Sequence, residues 1–146
     1  MQYLILNGPN LNMIGIRNHE IYGTKTLEEV NEEIKKYCAE NNISVSFYQS
    51  NSESDIINYL QKNYNVYERI VANLGAYTHY SYAIRDALEL TNAEIAEVHI
   101  SDINNREDFR KKSVIEDISK VRVIGKGTKG YIEAIKLLEA QHEQNN

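Results

Sequence analysis

The sequence is poor in three things whose shortage narrows its function: cysteine, uninterrupted apolar runs and excess positive charge. Cys38 is the only cysteine, so no disulfide can form within the chain, and a reducing, cytoplasmic setting is expected. The opening Met1-Gln2-Tyr3-Leu4-Ile5-Leu6-Asn7 has no basic leader, and its short apolar run is too brief for the core of a signal peptide. No later stretch approaches the roughly 18 apolar residues of a membrane span, so no membrane partner is expected. Lys and Arg total 16 against 21 Asp and Glu, a net charge of -5. That balance offers no basic stripe for a phosphate backbone, and nucleic acid is excluded as a partner. The four histidines, His19, His79, His99 and His142, lack the spacing of a metal site, so no metal is expected.

What remains is ordinary globular material. Hydrophobic residues make up 42% and charged residues 25% of 146 residues, which suits one domain over residues 1–146 with one core and one site. Short apolar runs alternate with helical patterns. Tyr3 to Leu6 reads as a strand that stops at the turn-forming Asn7-Gly8-Pro9-Asn10. Thr26 and Glu29 have the spacing of a capping box, followed by Leu27, Val30, Ile34 and Cys38 on one helix face. Ile43, Val45 and Phe47 alternate as a strand, and Ile56, Ile57, Leu60 and Tyr64 form a helical stripe behind Ser52-Glu53.

The unit repeats with a strand from Arg69 to Leu74 and a helix face of Tyr80, Ala83, Ile84, Ala87 and Leu88. Strands Ile95 to Ile100 and Val121 to Ile124 and a last helix from about Gly130 complete the pattern. Five strands separated by helices predict an α/β three-layer sandwich around a parallel sheet, flavodoxin-like, because parallel neighbours need long crossovers. Polar residues gather after strands, at 7–12, 49–51, 73–79 and 99–101, which points to one cleft at the carboxyl edge of the sheet.

Three constellations carry chemistry. On the fourth strand Glu97, His99 and Ser101 share a face, so the carboxylate could orient the imidazole as a general acid; an edge strand with a solvated face reads equally well. Asn73, Gly75, Tyr77, Thr78 and His79 precede a helix and could hold hydroxyls or a carboxylate, though Asn and Gly are also common turn residues. The long connection from Asn7 to Lys25 carries Arg17 and Tyr22, and an active-site lid at about 12–24 is expected there. Arg17 would favour the tyrosinate form of Tyr22, but with 11 tyrosines in the chain Tyr22 is also readable as one more. Gly125-Lys126-Gly127-Thr128-Lys129-Gly130 matches G-x-G-x-x-G but has no following strand for a ribose-binding acid, and it reads as a turn.

Asn7-Gly8-Pro9-Asn10-Leu11-Asn12, with Gly15-Ile16-Arg17 and Tyr22-Gly23, resembles the opening signature of type II 3-dehydroquinate dehydratases. Phe47 to Glu53 resembles the second motif of that family, and Gly75 to His79 with Ala83 to Leu88 the third. Glu97 to Ser101 with Arg106 to Arg110 and Ser113 resembles the fourth. The resemblance implies anti elimination of water from 3-dehydroquinate to 3-dehydroshikimate through an enolate, in the shikimate pathway, without a cofactor. It further implies Tyr22 as base, held as tyrosinate by Arg17 and Arg106, and His99 as acid oriented by Glu97. Asn10 would sit near the enolate oxygen. Asn73, His79, Ile100, Ser101 and Arg110 would bind substrate, and Asp86 would reach a neighbouring subunit's site in a homododecamer, a tetramer of trimers. Leu74, Ser54 and Asp102 depart from the family's usual proline, glycine and asparagine. The first two are expected to alter only local turns, and Asp102 to place a negative charge near an anionic substrate. The main rival is a flavodoxin-like module binding a flavin or small ligand, but Gly8-Pro9-Asn10-Leu11 offers no hydroxyl-rich phosphate loop. A receiver-type signalling domain would need clustered aspartates where Asn7 and Asn10 stand. A non-catalytic relative would be at odds with Tyr22, Arg17 and His99 all being present.

Overall fold

Five segments rich in β-branched and aliphatic residues pair side by side in one direction: β1 (Gln2–Asn7), β2 (Ser44–Gln49), β3 (Arg69–Asn73), β4 (Glu94–His99) and β5 (Ser119–Ile124). The computed structural model describes residues 1–16 and 19–144. The sheet order is β2-β1-β3-β4-β5, the order of doubly wound flavodoxin-like sheets, as the alternation of strands and helices predicts. Five helices supply the crossovers and flanks: α1 (His19–Tyr22), α2 (Leu27–Glu40), α3 (Glu53–Lys62), α4 (Tyr82–Leu90) and α5 (Gly130–Gln144).

Helix starts follow local capping chemistry. Thr26 caps α2 in the expected box, its hydroxyl accepting from the Glu29 amide at 3.2 Å while Glu29 accepts from the Thr26 amide at 3.2 Å. Ser52 caps α3 and Ser81 caps α4 through the same hydroxyl-to-amide contact. The caps also explain two corrections. Tyr64 lies beyond the end of α3 and is exposed rather than part of its apolar stripe. Tyr80 precedes the Ser81 cap, so it and Ala83 are exposed, and α4 buries only Ile84, Ala87 and Leu88.

Alternation along the strands divides the interior in two. Tyr3, Ile5, Val71, Ala96, Val98, Val121 and Val123 pack towards α2 and α5, with Cys38 buried among them. Leu4, Leu6, Ile70, Ala72 and Ile95 pack towards α3 and α4 together with Val114 and Ile115. Burial pushes the Cys38 thiol up to about 11, so it is an inert core residue.

The carboxyl ends of β1 and β3 approach closely. The Gly8 amide donates to the Asn73 carbonyl at 2.8 Å, and a Cβ on Gly8 would lie 2.3 Å from the Leu74 carbonyl oxygen. Leu74 is fully buried in the α3/α4 core, so this departure fills the interior and is more than a change of turn. Ser54 is the local variation expected: its hydroxyl is 3.2 Å from that of Ser52 at the α3 start.

Gly8→Ala should therefore destabilise the fold by about 2–4 kcal/mol, since backbone must move to admit the methyl. Gly23, at φ +78° with no atom near its added Cβ, should lose only about 1 kcal/mol as Gly23→Ala. Urea unfolding midpoints of the two variants check the difference.

Candidate active site

β4 sets one side of the site, and the connection after β1 the other. Glu97 and His99 share the strand face opposite Ala96 and Val98, as period-two alternation predicts, and β4 is an inner strand rather than a solvated edge. Both polar side chains are buried, at 0% and 4% exposure. A carboxylate this deep must be paired and hydrogen-bonded to stay ionised. Glu97 Oε2 lies 2.5 Å from His99 Nε2, and Glu97 Oε1 accepts from Arg122 Nε at 2.8 Å. Burial pushes the carboxyl up, but hydrogen bonds from His99, Arg122 and Ser113 and the charge of His99 outweigh it and hold Glu97 at about 2. His99 is thus oriented by an ionised carboxylate, and Nδ1 is the ring nitrogen not taken up by Glu97.

The second side comes from the connection after β1. It has structure of its own: a 3-10 turn at Leu11–Met13 and the single helical turn α1, which ends on Tyr22. Arg106 Nη1 donates to the Tyr22 hydroxyl at 3.0 Å, and its guanidinium carbon lies 5.8 Å from the centroid of the same ring. The same Nη1 also reaches the Ser101 hydroxyl at 3.3 Å. Arg17, expected to share this task, lies outside the described residues.

Tyr22, His99, Asn10, Asn73, His79, Ile100, Ser101, Arg106 and Arg110 all line one cleft of about 170 Å³ at the carboxyl edge of the sheet. A more open cleft of about 730 Å³ adjoins it, sharing Tyr22, Ile100, Ser101 and Arg106 and walled by the turn at 125–129. Only the smaller one contains His99, Asn73 and His79, so the chemistry belongs there. Asn10 is held at φ 71°, its amide donating to Asn51 Oδ1 at 2.9 Å. Gln49 donates to the Gly8 carbonyl at 3.1 Å, and Tyr77 to the Asn51 carbonyl at 2.8 Å, so neighbouring loops brace the Asn10 turn.

His79 Nδ1 is 2.7 Å from the Lys112 carbonyl. A carbonyl can only accept, so Nδ1 carries the proton. Burial pushes His79 below its ordinary value, partly offset by that hydrogen bond and helped by the charges of His99 and Arg110. The neutral ring leaves Nε2 as an acceptor. Arg110 stacks on the Phe109 ring at 4.7 Å and pairs with Glu107. Asp86 is exposed on α4 and does not line the cleft. Asp102 faces the larger cleft, and its carboxylate accepts from the Asn104 amide at 3.1 Å and from Asn105 Nδ2 at 2.7 Å. Two of its acceptor positions are engaged by the turn it caps.

Among the described residues no group of three or more His, Cys, Asp or Glu side chains could hold a metal ion, and no helix is long and apolar enough to cross a membrane. The family model for dehydroquinase class II matches residues 1–139. The chain belongs to that family. It is 48% identical over 140 residues to the 3-dehydroquinate dehydratase of Clostridium beijerinckii, covering 95% of this chain and 96% of that one. With the 3-dehydroquinate dehydratase of Halothermothrix orenii it shares 45% over 134 residues, 92% of this chain and 90% of that one. The crystal structure of the type II dehydroquinase from Butyrivibrio crossotus superposes with a TM-score of 0.91 at 50% identity, over 95% of this chain and 97% of that one.

Two residues at this dehydroquinase site escaped the sequence reading. The Tyr131 hydroxyl, fully buried, donates to Asn7 Oδ1 at 2.6 Å and accepts from Asn73 Nδ2 at 3.0 Å, tying the ends of β1 and β3 to α5. Asn73 Oδ1 also accepts from the Gly75 amide at 3.2 Å, so this amide shapes the cleft floor as well as facing it. Arg122 is the second. Its one sequence signal is a charge between Val121 and Val123 on a strand, but the partner depends on register across the sheet.

The Glu97 carboxyl, held at about 2 against an ordinary 4.5, links stability to pH. Its folded value is depressed, so its contribution is present above the unfolded value and is lost as pH falls towards the folded one. Between about pH 5 and about pH 3 the wild type should lose stability, on the order of 1–2 kcal/mol from this group. The variant Glu97→Gln, less stable at neutral pH, should show a flatter slope over that window by urea titration.

Proposed function

We propose that this chain is a 3-dehydroquinate dehydratase, a hydro-lyase of the shikimate pathway that works without a cofactor. The observation that carries the reading is the opposition of two groups across one small cleft: a tyrosine bonded by an arginine, and a histidine bonded by a buried carboxylate. The cleft is well below the ~300 Å³ at which drug-sized pockets begin, which suits a single small ring acid.

Tyr22, as tyrosinate beside Arg106, takes the proton from the carbon next to the ketone. The electron pair left behind moves onto the ketone oxygen as an enolate, with Asn10 near it. When the enolate collapses, a carbon–carbon double bond forms and the carbon–oxygen bond on the opposite face breaks. His99 gives its proton to the departing hydroxyl, which leaves as water. Proton exchange with solvent then restores both groups. Glu97 keeps the His99 ring in place and offsets its charge. His79 accepts from a substrate hydroxyl through Nε2, Asn73 and the Ile100-Ser101 backbone bind further oxygens, and Arg110 faces the carboxylate. The connection at about 12–24 closes over the bound ring.

Assembly belongs to the same proposal. The chain forms a homododecamer, a tetramer of trimers, in the cytoplasm, and the exposed position of Asp86 on α4 supports its contact with a neighbouring subunit's site.

The test is the rise in ultraviolet absorbance of the conjugated enone when purified protein meets 3-dehydroquinate. It should survive borohydride pretreatment, since no lysine Schiff base is involved. Tyr22→Phe and His99→Ala should each lower kcat by about a hundredfold or more while the subunits still assemble. A fully active Tyr22→Phe would refute the mechanism. Absence of any rise would return the cleft to the reading of a small-ligand binding module.

A further inference from the structure

The Glu97 carboxylate has two oxygens, and only Oε2 faces His99. Oε1 is held by Arg122 Nε at 2.8 Å, and the same guanidinium donates through Nη1 to Glu116 Oε1 at 2.9 Å. A guanidinium forked between two carboxylates has its plane fixed, which a single point charge would not achieve.

The sheet is built to permit this contact. β4 and β5 pair in register from Ile95 opposite Ser119, then skip one residue, so that Ala96 lies opposite Val121 and Glu97 opposite Arg122. Without the skip Glu97 would lie opposite Val121, and Val121 and Val123 would leave the α2/α5 core that they now fill. Register irregularities of this kind re-aim side chains next to sites. Arg122 is a quarter exposed at its side chain, whereas Glu97 is fully enclosed. It therefore reaches inward from the sheet edge and is anchored from outside by the more exposed Glu116.

We propose that Arg122 is a positioning residue for the dehydration: it fixes the Glu97 carboxylate so that Oε2 is presented to His99 Nε2, which sets the imidazole for proton delivery. The proposal rests on the reading of His99 as the acid. Arg122 does not line the cleft, so its effect falls on turnover and not on substrate binding. Without Arg122 the carboxylate keeps only Ser113 beside His99; its terminal torsion, which is broad and shallow, is then less firmly held, and the ring bonded to it would follow.

Arg122→Gln should lower kcat about tenfold, within the roughly 10–100-fold range found when an outer partner of an oriented histidine is lost, and leave KM within about twofold. Arg122→Lys, which keeps the charge but not the fork, should recover part of the loss. In the Glu97→Gln background the same Arg122→Gln change should alter kcat by less than about twofold, because the two residues act through one path. Wild-type kcat in a folded Arg122→Gln, a matched rise in KM, or an undiminished loss in the Glu97→Gln background would each overturn the proposal. Should Arg122→Gln not fold, Glu116→Gln decides: about a threefold loss of kcat at constant KM is expected for the loosened fork, and wild-type kcat overturns it. His99→Ala separates the two readings. If it stays active the acid assignment itself fails, whereas an inactive His99→Ala beside a wild-type Arg122→Gln removes only the role of Arg122.

Discussion

Glu97 carries its negative charge where no water reaches it. A charge so placed has to be matched by hydrogen bonds from every side or the chain cannot hold it there. His99 meets it along its own strand, Arg122 across the sheet, and Ser113 from the connection that follows β4. The carboxylate thereby ties three separate stretches of chain to one point. The site inherits its geometry from that tie, because the histidine facing the cleft can adopt only the orientation that the carboxylate leaves it.

The parallel sheet explains why the remaining polar groups assemble nearby. All five strands run the same way, so the segments after β1, β3 and β4 emerge at one edge. Tight backbone crossing between Gly8 and Leu74 brings the first two of these segments into contact. Tyr131 closes the floor beneath them by bridging Asn7 and Asn73. His99 is thus rooted in the core of the sheet. Tyr22 stands on a single helical turn, too short to be stable alone, and depends on partners such as Arg106, which is 84 residues away in sequence.

Sequence patterns revealed what depends on neighbours along the chain. The Thr26 box, the Val30, Ile34 and Cys38 stripe and the Glu97 and His99 row are all set by local periods, and the structure has them where they were expected. The same periodicity overshot at Tyr64 and Tyr80, because apolar spacing ran past the points where Asn63 and Ser81 cap the helices. Contacts between Arg122 and Glu97, or Tyr131 and the two asparagines, depend on strand register and helix docking, which no local period encodes. The family motifs pointed to Arg106 as a partner of Tyr22, although nothing in the spacing of the two residues would have done so. Asp102 was legible as a charge but not as a cap, since its hydrogen bonds depend on the turn it opens.

The tautomer of His79 bears on which molecules this cleft can tell apart. With its proton committed to the Lys112 carbonyl, the ring offers a lone pair and nothing else, so a ligand must bring a hydroxyl or amine hydrogen to that spot. An analogue with a ketone, ether or fluorine there would set two electron-rich atoms against each other. Removing one oxygen substituent would leave this half-buried nitrogen to water instead of the ligand. A single imidazole, locked by a backbone carbonyl 33 residues along the chain, thus presents only an acceptor to the cleft.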